Sequence, residues 1–190
     1  MAAPLLSDVI LTTSNPQKIH EYQRFSGSQL RMEPGKDLDE VDGTPDEIII
    51  HKALAAGPGR MVEDAIIVID GQPMTDIRWR LDELLSGGVP ANTPVIWEVR
   101  LGILHEGAVY AYLGQTHGTV VPFDVPGFGI DPIFHVTDAG ATFAKLDQED
   151  RKDPWSARQF AMESMINQTP YLTVDASCIE PWAGAMQNQG

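Results

Sequence analysis

Cysteine is nearly absent from this chain of 190 residues, and the single Cys178 leaves no partner for an internal disulfide or a cysteine-based zinc site. Long hydrophobic runs are also missing, because the apolar stretches fall far short of the roughly 20 residues that span a membrane. Residues 1–15 show no basic region ahead of a long apolar stretch, so no signal peptide is expected. These absences favour a cytoplasmic protein that does not enter a membrane.

Basic residues are scarce, with 13 Lys and Arg against 27 Asp and Glu and a formal net charge of −14. This deficit argues against a nucleic-acid-binding protein, because phosphate backbones are held by fields of Lys and Arg. A small anionic substrate needs only a local cluster of cations and is not excluded. The length and the 43% hydrophobic content indicate a single two-lobed globular domain over residues 1–190.

The stretch from Thr44 to Ile69 predicts a helix, a turn and a strand. Thr44 and Glu47 form a capping-box pattern, Gly-Pro-Gly at 57–59 ends the helix, and Asp64 precedes five apolar residues. The two carboxylates can converge on Mg²⁺, which prefers oxygen ligands and keeps substrate phosphates in its shell. A capping glutamate needs no other function, however, and an acid ahead of a strand is often only a solvated turn residue.

A second candidate lies at the start of the chain, where residues 8–13 predict a buried strand that leads into a helix capped by Ser14 or Asn15. Free N–H groups and the positive end of the helix dipole favour an anion there, and Lys18 adds a full charge. An ordinary capped helix with a solvated lysine explains the same residues, because no Walker-type glycine run is present.

A third group of candidates lies between residues 125 and 158. Glycines flank Phe128, so the backbone can approach a flat ligand on which this ring could stack, and Asp131 could hydrogen-bond the ligand edge. Lys152 and Arg158 flank a predicted helix start. A tight turn with a buried phenylalanine and a solvated charged loop are the alternatives.

The remaining pattern predicts a helix over 75–85 and a long antiparallel strand pair over 95–104 and 108–121. The C-terminal tail, 171–190, is expected to be partly irregular.

Taken in order, these motifs resemble the inosine triphosphate pyrophosphatase family over about residues 8–167. Five segments carry the resemblance. Near the start, TSNPQK at 13–18 corresponds to the family motif T-G-N-x-x-K, EIIIHKA at 47–53 to E-x-x-x-x-K-A, and MVEDA at 61–65 to L-V-E-D-T. Further on, FGIDPIF at 128–134 corresponds to F-G-[YW]-D-P-x-F, and KDPWSAR at 152–158 to K-x-x-x-S-H-R.

The resemblance implies a role for each matching residue. The triphosphate would be held by Thr13, Ser14, Asn15 and Lys18. Magnesium would be bound by Glu47 and Asp64, with Asp64 also orienting the attacking water and Lys52 neutralising phosphate charge. The base would be surrounded by Phe128, Gly129, Ile130, Asp131, Lys152, Ser156 and Arg158.

The fold implied is α/β, a long mixed twisted sheet with helices on both sides and a central cleft, in a homodimer. The activity implied is Mg²⁺-dependent hydrolysis of deaminated or other non-standard purine nucleoside triphosphates to monophosphate and pyrophosphate. Ala157 stands where the family motif has a histidine, and Ala65 where it has a hydroxyl residue. These departures leave two alternatives open: a nucleotide-binding protein with weak or altered catalysis, and a pyrophosphatase with a changed base preference.

Overall fold

The computed structural model describes residues 2–27, 29–35 and 38–187, apart from the side chain of Arg78. The helices are α1 (Pro16–Phe25), α2 (Pro45–Ala56), α3 (Ile77–Leu85), α4 (Phe143–Gln148) and α5 (Ala157–Ile166). The strands are β1 (Ile10–Thr13), β2 (Arg31–Pro34), β3 (Arg60–Ile69), β4 (Gln72–Met74), β5 (Pro94–His105), β6 (Ala108–Val120), β7 (Phe134–Val136), β8 (Ala141–Thr142) and β9 (Leu172–Asp175). Among the described helices, none has both the length and the apolar character needed to cross a membrane.

The strands form one mixed sheet in the order β2-β1-β3-β5-β6-β7-β8, with β4 paired to β3 and β9 paired to β6. Strand β1 runs parallel to both β2 and β3, whereas β7 and β9 run antiparallel to β6. The predicted α/β fold with a mixed twisted sheet is confirmed.

Local sequence signals account for the main element boundaries. The side chain of Asn15 accepts a hydrogen bond from Gln17 N at 3.0 Å and so caps α1. Helix α2 begins with the predicted capping box at Thr44 and stops at Gly57, whose φ of 87° favours glycine. The β5–β6 turn places Glu106 and Gly107 at positive φ, as a two-residue type I′ hairpin turn requires.

Four strands, β4, β7, β8 and β9, did not follow from the sequence pattern. Strand β4 follows the turn at Asp70 and Gly71 and pairs with the end of β3. Strand β9 lies in the tail that was expected to be partly irregular, and it adds to the edge of the β5–β6 hairpin through pairs such as Tyr110 with Thr173. Residues 188–190 of that tail lie outside the described residues.

The chain divides into two compact units. The first comprises Met1–Asp64, Val99–Gly114 and Phe160–Gly190, and the second comprises Ala65–Glu98 and Gln115–Gln159. In the first unit, α2 packs on the sheet through a buried cluster of Ile49, Ala53, Val62, Val109 and Ala111. Helix α2 comes very close to β5, because a Cβ on Gly102 would lie 2.8 Å from Ile49 Cγ1.

The second unit has an aromatic core. The rings of Trp97 and Phe143 meet edge to face with centroids 5.3 Å apart, and Phe134 lies 5.0 Å from Phe143. A Cβ on Gly118 would collide with the carbonyl oxygen of His135, so β6 and β7 pack there without space for a larger residue.

We expect Ile49→Ala to lower the free energy of unfolding by about 2–5 kcal/mol, because it leaves a cavity between α2 and the sheet at a fully buried position. Urea unfolding measures this change. The matched control is Ile166→Ala, at a residue that is 46% exposed, which should change the free energy by less than about 0.5 kcal/mol. Equal effects of the two substitutions would contradict the packing described here.

Candidate functional site

The β1–α1 junction holds the first predicted phosphate-binding residues in a fixed turn. Thr13 Oγ1 accepts a hydrogen bond from Asn15 N at 3.2 Å, and Asn15 in turn caps the ten-residue helix α1. Lys18 lies in the first turn of the helix, and its side chain is 22% exposed. Ser14 lies between these residues and also makes contacts within the structure.

Two consecutive acids on β3 face opposite sides of the sheet, because side chains alternate along a strand. Glu63 faces α1, where its carboxylate lies 3.0 Å from Lys18 Nζ and accepts a hydrogen bond from Tyr22 Oη at 2.6 Å. Asp64 faces α2, where its Oδ1 lies 3.5 Å from Lys52 Nζ. Each acid therefore meets a lysine from a different helix.

Lys52 is shared between two carboxylates. Its Nζ donates a hydrogen bond to Glu40 Oε1 at 2.7 Å, in addition to its contact with Asp64. Burial alone would lower the pKa of Lys52, but the attraction of Asp64 and Glu40 outweighs it and raises the pKa. The ammonium therefore keeps its full positive charge near neutral pH.

Burial raises the pKa of Asp64, which is 8% exposed, and the nearby Lys52 opposes that rise. The negative charge of Glu40 also raises the pKa of Asp64, because it favours the protonated form of Asp64. A carboxylate whose pKa lies above its usual range accepts a proton more readily, as a general base must.

Glu47 occupies its predicted place in the capping box of α2. Its Oε2 accepts hydrogen bonds from Thr44 N and Thr44 Oγ1, both at 2.8 Å. These bonds, the backbone one foremost, lower the pKa of Glu47, so the carboxylate is ionised. The structural role that the sequence left open is thus present, and metal binding by Glu47 stays a prediction.

The first turn of α2 has a second anchor, on the neighbouring Asp46. Tyr171 Oη donates to Asp46 Oδ1 at 2.7 Å, and Arg100 Nε donates to Tyr171 Oη at 3.2 Å. Burial, followed by the hydrogen bond to Asp46, raises the pKa of Tyr171, so its hydroxyl stays protonated. This network joins β5 and the segment before β9 to the helix start that carries Glu47.

Within the described residues, no group of three or more His, Cys, Asp or Glu side chains is placed to hold a metal ion. Mg²⁺ does not need such a group, because it is usually bound through one or two carboxylates together with waters and substrate phosphates. Asp64 supplies such a carboxylate, whereas among the described residues no contact joins Glu47 to Asp64, and Glu47 Oε2 is held by Thr44. Asp64 therefore fits Mg²⁺ delivered with a nucleotide, and the convergence of the two carboxylates stays a prediction.

In the second unit, Lys152 and Asp131 form a buried ion pair. The distance from Nζ to Oδ2 is 2.5 Å, and the two residues are 4% and 7% exposed. Burial raises the pKa of Asp131, while Lys152 opposes that rise. Lys152 Nζ also lies 5.5 Å above the ring of Phe143, which is a cation–π contact.

The loop ahead of Asp131 presents an aromatic ring to solvent. Phe128 is 50% exposed, so the alternative of a buried phenylalanine is wrong. Gly129 has a φ of 54°, which reverses the chain after the ring, and Ile130 follows in a partly buried position. Gly127 precedes Phe128, and a Cβ on this glycine would lie 2.6 Å from Ala144 Cβ, so the loop packs closely against α4.

The start of α5 carries the last predicted residues. Ser156 is 2% exposed, and its Oγ has no hydrogen-bond partner among the described residues. The guanidinium of Arg158 lies 5.1 Å above the ring of Trp97, and Arg158 is 6% exposed. Ala157 between them is fully buried. These residues are packed into the second unit, and the alternative of a solvated charged loop is wrong for them.

Sequence reasoning missed two acids that pair with the predicted lysines: Glu63, which lies beside Lys18, and Glu40, which lies beside Lys52. Strand alternation at positions 63 and 64, with a lysine available on each flanking helix, is the signal that could have identified Glu63. Glu40 lies in an acidic connection with no periodicity, and only the fold brings it to Lys52.

The model of the Ham1 family matches residues 90–168. An inosine triphosphate pyrophosphatase of Batrachochytrium dendrobatidis is 26% identical over 76% of this chain and 85% of its own length. A dITP/XTP pyrophosphatase of Symbiobacterium thermophilum is 30% identical over 86% of this chain and 95% of its own length. The Staphylococcus aureus Ham1 protein has the same fold, with a TM-score of 0.62 and 19% identity over 83% of this chain and 96% of its own.

The capping role of Glu47 predicts a pH-dependent contribution to stability. Because its pKa is lowered from 4.5 on folding, the ionised form stabilises the native state above that value, and the contribution is lost as the pH falls through the lowered pKa. We expect Glu47→Gln to unfold at a lower urea concentration than the wild type near pH 7, and this difference should shrink as the pH falls below 4.5 towards pH 3. The control is Glu106→Gln, at the exposed β5–β6 turn. A difference that persists undiminished near pH 3 would contradict this account.

Proposed function

This chain belongs to the Ham1 family, and we propose that it hydrolyses purine nucleoside triphosphates, non-standard ones among them, to a monophosphate and pyrophosphate. The similar proteins named as inosine triphosphate and dITP/XTP pyrophosphatases support this reaction class. The observation that carries the proposal is the arrangement on β3, where two buried acids each meet a lysine from a flanking helix.

The reaction needs charge neutralisation and a proton acceptor. A water oxygen bonds to phosphorus, the phosphoanhydride P–O bond to the leaving pyrophosphate breaks, and the water gives up a proton. Positioning and electrostatic stabilisation dominate the catalysis of such transfers. We assign the proton to the Asp64 carboxylate, whose pKa is raised by burial, and the neutralisation of phosphate charge to Lys52 and Lys18.

Magnesium is the cofactor that we propose, held by Asp64 and Glu47. When bound with a nucleotide, it supplies further positive charge against the phosphate oxygens. The lysines remain necessary in this scheme, because a triphosphate carries more negative charge than one divalent ion offsets. The N-terminal turn of α1, with Thr13, Ser14, Asn15 and Lys18, contributes hydrogen-bond donors and the positive end of the helix.

Base recognition we assign to the second unit. Phe128 offers an exposed ring face for stacking, with Gly129 and Ile130 shaping the loop behind it. The polar groups assigned to the base edge are Asp131, Lys152, Ser156 and Arg158. Ser156 Oγ supports this assignment, because a buried hydroxyl without a partner can still form a hydrogen bond to a ligand.

The central test is pyrophosphate release from a panel of triphosphates that includes ITP, XTP, dITP, ATP and GTP, with and without Mg²⁺. We expect turnover of at least one purine triphosphate, dependent on Mg²⁺, and a loss of kcat of at least about 100-fold in Asp64→Asn, as for removal of a general base. Glu106→Gln should keep wild-type activity. Nucleotide binding without turnover of any member of the panel would instead identify a binding protein of this fold.

A second test addresses the stacking role of Phe128. Loss of a base–aromatic stack is worth about 1–3 kcal/mol, so Phe128→Ala should raise KM for the preferred triphosphate roughly tenfold and leave kcat nearly unchanged. Phe123→Ala is the matched control, since that ring is 52% exposed in the same unit. Equal KM values for the two variants would remove Phe128 from the base site.

A further inference from the structure

The first turn of α2 is joined to the sheet through a tyrosine hydroxyl from the C-terminal part of the chain. Tyr171 Oη donates to Asp46 Oδ1 at 2.7 Å and accepts from Arg100 Nε at 3.2 Å. Arg100 Nε also lies 3.4 Å from Asp46 Oδ1, so the three groups contact one another in a closed triangle. The hydroxyl thereby uses both its donor and its acceptor capacity.

The backbone end of this tyrosine is held on the sheet. Tyr171 N donates to Ala111 O at 2.9 Å, and the next residue, Leu172, begins β9 and pairs with Ala111 on β6. Arg100 lies on β5, is 9% exposed, and has its guanidinium 5.9 Å from the centre of the Tyr171 ring. A tyrosine side chain has two rotatable bonds and is rigid for its length. The start of α2 is therefore fixed relative to β5 and β6.

Two other kinds of contact on α2 act within the helix or further along it. The capping box of Thr44 and Glu47 joins residues three positions apart, so it shapes the first turn without tying it to the sheet. The buried cluster that includes Ile49 and Ala53 holds the middle of the helix, and Leu172 packs against the same cluster. The C-terminal part of the chain thus gives α2 an apolar contact at its middle and a polar contact at its start.

The position of α2 on the sheet decides where Lys52 lies. Lys52 follows Asp46 by six residues, which is about 9 Å along the helix axis. Because the helix is one hydrogen-bonded unit, a tilt at its first turn also displaces Lys52, whose Nζ lies 3.5 Å from Asp64 Oδ1. A misplacement of about 1 Å in a reacting group can lower a rate roughly 100-fold.

We propose that Tyr171 is a positioning residue for triphosphate hydrolysis, which acts through Asp46 to hold α2, and with it Lys52, in place on the sheet. This inference rests on the proposed function, in which Lys52 neutralises phosphate charge. It gives the part of the chain that follows α5 a role in the reaction, although Tyr171 does not touch the substrate in this scheme.

The first experiment separates positioning from substrate binding. Tyr171→Phe removes the hydroxyl and keeps the ring beside Arg100. We expect kcat for pyrophosphate release to fall about fivefold and KM to change less than twofold, because the contacts proposed for the base and for the α1 turn are unaltered. The matched control is Tyr110→Phe, which removes a buried hydroxyl that has no hydrogen-bond partner among the described residues and should keep the wild-type kcat. An unchanged kcat in Tyr171→Phe, or an equal loss in Tyr110→Phe, would overturn the proposal.

The second experiment tests whether Tyr171 acts through Asp46. Asp46→Asn keeps an oxygen that can accept from the hydroxyl and should retain at least half of the wild-type kcat, whereas Asp46→Ala should lose as much as Tyr171→Phe. The double variant Tyr171→Phe/Asp46→Ala should be no slower than either single variant. If the two losses multiply, or if Asp46→Asn is as slow as Asp46→Ala, the hydrogen bond is not the route and the proposal is wrong.

Amide hydrogen exchange tests the positioning without the reaction. The Ile48 amide donates to Thr44 O at 2.9 Å in the first turn of α2, and it should exchange at least tenfold faster in Tyr171→Phe than in the wild type. In Tyr110→Phe it should exchange at the wild-type rate. If the wild type releases no pyrophosphate, the proposed function fails, and faster exchange in Tyr171→Phe alone still supports the hold of Tyr171 on α2. An unchanged exchange rate in Tyr171→Phe would overturn the inference in an active and in an inactive protein alike.

Discussion

Two adjacent buried carboxylates on β3, Glu63 and Asp64, require positively charged partners from the helices that pack on the sheet. A buried charge is costly unless it is paired and hydrogen-bonded. Because Glu63 and Asp64 point to opposite faces of the sheet, one helix cannot satisfy both, and α1 and α2 each supply a lysine. The hydroxyl of Tyr22 completes the pairing of Glu63. The positions of both helices on the sheet are therefore tied to the charges of one strand.

Local charge pairing also explains how an acidic chain can serve an anionic substrate. The chain has a net charge of −14, so its overall field repels a triphosphate. The lysines assigned to the phosphates are instead held at particular carboxylates, with Lys18 at Glu63 and Lys52 between Glu40 and Asp64. The phosphates must compete with these carboxylates for the lysines, which makes the exact placement of each ammonium important for the reaction.

Local signals in the sequence predicted much of the fold, and long-range contacts are what they could not predict. The caps at Asn15 and Thr44 and the apolar run after Asp64 fixed α1, α2 and β3, because capping and strand burial depend on near neighbours. The pairing of Asp131 with Lys152 joins two motifs that the sequence proposed separately. The ion pair of Glu40 with Lys52 and the bridge between Val41 and Met186 were not predicted, since neither follows from a local sequence pattern. The homodimer and the cytoplasmic location stay predictions.

The most direct test of the account is whether Asp64 binds a divalent ion together with a nucleotide. Mn²⁺ takes oxygen ligands in the same octahedral geometry as Mg²⁺ and can be followed by electron paramagnetic resonance. With a non-hydrolysable purine triphosphate present, we predict protein-bound Mn²⁺ in the wild type and in Glu106→Gln, and a loss of at least about tenfold in Mn²⁺ affinity in Asp64→Asn, as for loss of one metal ligand or its support. Equal Mn²⁺ binding by the wild type and Asp64→Asn would contradict the central claim.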